Sequence, residues 1–149
     1  MSLEQHLENQ KARLERLRVL LTREQGLLTE GQVNSEELAT IASEKQRELA
    51  EIEAFELQRR KAQQRLGYGV GRTGARQAAS QAGCPELWST IEQLASEVSR
   101  LNQLNGKLIH LRLENNQRML NFLQEAAGAG LYGPDGQAGL RVGQVDSRV

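Results

Sequence analysis

Aromatic residues make up only 3% of this 149-residue chain, and there is one Trp and one Cys. So few rings cannot fill a wide globular core. With 38% hydrophobic and 26% charged residues, the composition suits an elongated helical bundle around a narrow apolar seam. The single cysteine, Cys84, excludes an intramolecular disulfide and agrees with a reducing compartment. Nineteen basic residues balance nineteen acidic ones, so no global field draws the chain to nucleic acid or to an anionic membrane. No run approaches the ~20 apolar residues of a membrane span, and MSLEQHLENQ lacks the apolar core of a secretory signal. A cytoplasmic protein of one domain, without membrane insertion and without nucleic acid as a partner, is the expectation.

What the chain has is helical periodicity, carried by Glu, Arg and Leu. The first helix is expected at about 2–30. Ser2 is placed to cap it, Leu7, Leu14, Leu21 and Leu28 fall seven apart, and Leu17, Leu20 and Leu27 widen the stripe. Gln10 and Glu24 interrupt the second seam position, and Gly31 is placed for a left-handed C-cap. The second helix is expected at 34–66, capped by Asn34. Leu38, Ile41, Ala42, Lys45, Leu49, Ile52 and Phe55 trace one face, and Lys45 can bury its stem and keep its head in water. The short turn makes these helices antiparallel neighbours. The glycine-rich stretch 67–84 reads as a mobile connector in which ARQAASQA forms at most a brief helix.

The third long helix, expected at 85–125 and roughly 60 Å long, is the spine. Leu87, Leu94, Leu101 and Leu108 fall seven apart, with Ile91, Val98 and Met119 on the intervening position. Trp88 reads as a packing anchor, with a binding hot spot as the alternative. Leu104, Leu108, Leu111, Leu113, Met119, Leu120, Phe122 and Leu123 face more directions than one seam needs, so this helix needs more than one partner. Asn102, Asn105, Asn115, Asn116 and the interior Gly106 all weaken a helix. Either a neighbouring helix approaches at Gly106 while asparagines fix register, or the helix is kept adaptable for a client. The bundle is expected to occupy 1–127, with a flexible tail at 128–149 in which YGPDG marks a turn.

Chemistry-bearing motifs are scarce. Gly69-Val70-Gly71-Arg72-Thr73-Gly74 matches GxGxxG, but a long polar helix precedes it where a dinucleotide site needs a strand, so it reads as linker. His6 and His110 sit on different helices without a carboxylate or thiolate cluster, and Cys84 reads as a plain, partly exposed thiol. No nucleophile–base constellation is present. A non-enzyme without metal or cofactor is expected.

Four stretches carry a resemblance: LNQLNGKLI at 101–109, the ELW at 86–88, the ELQRR at 56–60 and LYGPDG at 131–136, supported by EGQVNSEELATIASEK at 30–45. Together they resemble FlgN, the family of bacterial flagellar type III export chaperones. The resemblance implies a cytosolic chaperone for the hook-filament junction proteins FlgK and FlgL, which it keeps unassembled and delivers to the export gate. It places the client surface at Leu101, Leu104, Leu108, Leu111, Met119 and Phe122, and docking on FlhA at Tyr132, with Gly133, Asp135 and Gly136 forming its turn. The same apolar surplus also fits a homodimer. The alternative is a structural coiled-coil scaffold that binds no client.

Overall fold

A computed structural model describes residues 2–69 and 71–131, and among them the fold is all-helical, with four helices and no strand. These are α1 Leu3–Leu28, α2 Ser35–Arg65, α3 Arg72–Gln81 and α4 Pro85–Leu131. The chain divides into two compact units, one up to Asn105 and one from Gly106 onward. The division lies inside the segment that the sequence reading assigns to one domain.

Local chemistry sets the helix ends. Ser2 and Gln5 form a reciprocal capping box at 3.1 and 3.2 Å, and Asn34 accepts from the Glu37 N–H at 3.1 Å. Pro85 opens α4, where its missing N–H costs nothing. Gly31 is not the left-handed cap expected of it. α1 closes instead at Thr29, whose N–H reaches the Gln25 carbonyl at 3.1 Å and whose hydroxyl donates to the Gly26 carbonyl at 3.0 Å. Among the described residues the left-handed glycines are Gly67 and Gly83, which flank α3.

Within the first unit the leucine ladder of α1 is buried at every rung: Leu7, Leu14, Leu21 and Leu28. Leu7 and Leu14 join Ala75, Ala79, Cys84, Trp88, Ile91 and Leu94 in one apolar cluster, and Leu17 and Leu21 join Val98 and Leu101 in a second. The contacts advance together along both helices, so α1 and the first part of α4 run parallel. α2 runs the other way: Arg13 pairs with Glu48 and Glu51, Lys45 with Glu24, and Arg23 with Glu37.

α2 gives those clusters only the partly buried Ile52, and its own fully buried residues are Ile41 and Gln63. Ion pairs and polar bonds supply much of the rest of its seat. The glycine-rich connector contains a helix that is part of the core. α3 presents Ala75 and Ala79 to Leu7 and Trp88, and Gly74 lies so close to the Gly69 carbonyl that a Cβ there would collide with it. Of the two readings of Gly106, the close approach of a neighbouring helix is absent: a Cβ there would meet nothing within 4 Å among the described residues.

Candidate protein-binding surface

The expected client residues fall into two environments. Leu101 is 8% exposed and packed with Leu17, Leu21 and Val98, and Leu104 is half-buried. Both belong to the first unit. In the second unit Leu108 is half-buried, whereas Leu111, Met119 and Phe122 are 52%, 58% and 63% exposed. At about 100° per residue, these last four share an arc of roughly 80° on α4. Ile109, Leu113 and Leu123, also exposed, form an adjoining arc. Apolar side chains thus line roughly half the circumference of this part of α4. The opposite side is polar, with His110 and Glu114 paired at 3.2 Å and Gln117 bonded to Asn121 at 3.0 Å. Ile109 was missed because its neighbour Leu108 already filled the heptad position.

The first unit ends in a buried polar network. Asn105, fully buried, donates from Nδ2 to the Leu21 carbonyl and to Glu24 Oε1, both at 2.9 Å. Lys45 Nζ reaches both Glu24 oxygens, at 3.3 and 3.2 Å, and Asn102 Oδ1 at 3.3 Å. Asn102 and Asn105 therefore fix where α4 sits against α1 and α2. That favours the register reading for these two. Glu24, which looked like a flaw in the seam, is the acceptor that holds them. Lys45 keeps its head on Glu24 and not in bulk water.

A second network surrounds Trp88, which is buried, as its anchor reading expects. The Arg59 guanidinium stacks 4.7 Å from its ring centroid, bonds Glu56 at 2.7 Å and donates to Gln63 Oε1 at 2.7 Å. Gln63 in turn donates to the carbonyls of Gly69 and Gly71. The GxGxxG glycines thus serve packing: two carbonyls tie the connector to α2, and Gly74 lets α3 approach. No strand precedes them.

Cys84 is buried, not partly exposed; the turn after α3 folds its N–H onto the Ala79 carbonyl at 2.9 Å. Burial, and secondarily the Glu4 carboxylate, push its thiol above the usual cysteine value, which makes it a poor nucleophile. Among the described residues no cluster of three or more His, Cys, Asp or Glu could hold a metal ion. No helix there is long and apolar enough to cross a membrane. Tyr132, Gly133, Asp135 and Gly136 lie outside the described residues.

The chain is similar to the "Flagella synthesis protein FlgN" of Salmonella typhimurium, 32% identical over 124 residues that cover 83% of this chain and 81% of the relative. It is 30% identical over 136 residues to the protein of the same description in Proteus mirabilis, covering 91% and 89% of the two chains. Against that of Escherichia coli it is 28% identical over 131 residues, covering 88% and 86%. No solved structure is significantly similar to it. The family model described as "FlgN protein" matches residues 1–139, and the chain belongs to the FlgN family, whose named relatives are flagella synthesis proteins.

Proposed function

We propose that this protein is a cytosolic flagellar type III export chaperone. It binds the helical C-terminal segments of FlgK and FlgL, prevents their premature assembly and delivers them to the export gate FlhA. The observation that carries this reading is the exposed apolar arc of α4, centred on Leu111, Met119 and Phe122. An amphipathic client helix laid along it is helix-in-groove recognition. Ordering a disordered client costs roughly 2–5 kcal/mol of the gross interaction, which keeps binding reversible, as cargo transfer requires. Leu108 takes part from its half-buried position. Leu104 is half-buried as well, and Leu101 becomes available only if the first unit loosens. In this reading α1, α2 and α4 work as an antiparallel three-helix bundle with coiled-coil-like packing. Tyr132, on the Gly133–Asp135–Gly136 turn, is the anchor for FlhA.

The same arc supports the rival reading, a scaffold that pairs only with its own copies. Calorimetric titration of the full chain with C-terminal peptides of FlgK and FlgL, with light scattering on the free protein, separates the two. Saturable binding by a monomer supports the chaperone. A stable dimer that takes up neither peptide removes it.

A further inference from the structure

α2 and the first part of α4 leave a groove between them with α1 as its floor. It consists of two adjoining hollows of about 700 and 270 Å³, with Leu14, Ile52, Ala95 and Ser99 lining both. Leu49 on the α2 wall remains 37% exposed. On the α4 wall Ala95, Ser96 and Ser99 are exposed and small, so another backbone can come close there. Two buried polar atoms on residues lining the larger hollow have no partner: Nε1 of Trp88, a residue 8% exposed, and Oε1 of Gln10, 4% exposed.

The rim is unequal in charge. Its carboxylates are committed within the chain, Glu56 to Arg59 at 2.7 Å and Glu92 to Arg76 at 3.2 Å and Arg72 at 3.4 Å. Arg60 is 64% exposed with only a 4.0 Å approach to Glu56, and Arg100 makes no ion pair among the described residues.

We propose that this groove is a second docking site, which takes an amphipathic helix of a partner protein with a small apolar face and acidic flanks. The walls run from Trp88 to Gln103 on α4, enough for a helix of about 15 residues. Leu49 would find on that helix an apolar contact, Ile52 would extend the one it already makes with the core, and the flanking carboxylates would meet Arg60 and Arg100. The site lies wholly in the first unit and does not depend on the client surface of α4.

Trp88, the one tryptophan, lines the groove and reports on it. The full-length protein is titrated with a synthetic helical peptide of about 15 residues, Leu and Ala on one face and Glu on both flanks, and with its Lys-flanked counterpart. A saturable change in Trp88 fluorescence is expected with the Glu peptide, at least about tenfold weaker with the Lys peptide. Ser99→Phe, which fills the groove from an exposed position, and the pair Arg60→Glu with Arg100→Glu should each weaken binding about tenfold while thermal melts stay unchanged. Phe122→Asp should leave it intact. Equal response to both peptides, no response, or binding untouched by Ser99→Phe overturns the proposal. A peptide-free fluorescence change that tracks protein concentration and dimer scattering also overturns it, because a second copy then fills the groove.

Discussion

Glu24 places a carboxylate where the heptad of α1 calls for an apolar side chain, and its surroundings make that tolerable. Lys45 and Asn105 donate to it, and it is only 3% exposed. Lys45→Met removes the countercharge and leaves a buried carboxylate with Asn105 as its remaining donor. A loss of about 3 kcal/mol in urea unfolding is expected, and the double change with Glu24→Leu should recover most of it. Cys84 gives a pH signature at the same scale. Its folded-state pKa is raised above the reference 9.0, so the protonated thiol is favoured by folding. The stability it contributes is present below that reference value and is lost as pH rises through the raised one. Urea midpoints should therefore fall more steeply for wild type than for Cys84→Ala above pH ~9.

At the scale of elements, α3 and α4 each contain an interior glycine, with opposite consequences. Gly74→Ala drives a Cβ into the Gly69 carbonyl and against Gln63 Nε2 at 2.8 Å. It should cost about 1–3 kcal/mol by displacing α3 from the Ala75–Ala79 contact, read as a lower melting temperature. Gly106→Ala meets open space within a helix and should add about 0.5–1 kcal/mol, read as slower amide exchange around position 106. α2 is the helix with the fewest buried apolar residues, so its amides should exchange before those of α1, whose leucines from Leu7 to Leu28 are all buried.

For the whole molecule, the first unit holds the buried apolar clusters, Leu17 among them, whereas in the second Leu111, Met119 and Phe122 are in solvent. Leu17→Ala should therefore cost about 2–5 kcal/mol of stability. Leu111→Asp and Phe122→Asp, at exposed positions, should leave melting within about 0.5 kcal/mol. In the chaperone reading the same two changes weaken FlgK peptide binding at least about tenfold by calorimetry. Tyr132→Ala should leave that binding intact and impair export. Normal export by this variant would remove Tyr132 from the docking role.

Sequence alone determined the three long helices, the N-caps of the first two and the buried ladder of α1. These depend on neighbours three, four or seven positions away, and Ser2, Asn34 and Leu7 through Leu28 carry their instructions locally. α3 was half legible: its residues favour a short helix, but its place in the core depends on Gly69 meeting Gly74. Tertiary structure alone decided which of two similar leucines is spent. The resemblance put Leu101 and Leu111 on one surface, yet Leu101 packs among Leu17, Leu21 and Val98 while Leu111 is 52% exposed. It also decided that Glu24 and Lys45 answer Asn102 and Asn105. A polar group on a seam is a flaw or a lock according to what a distant helix brings opposite it, and only the folded register supplies that partner.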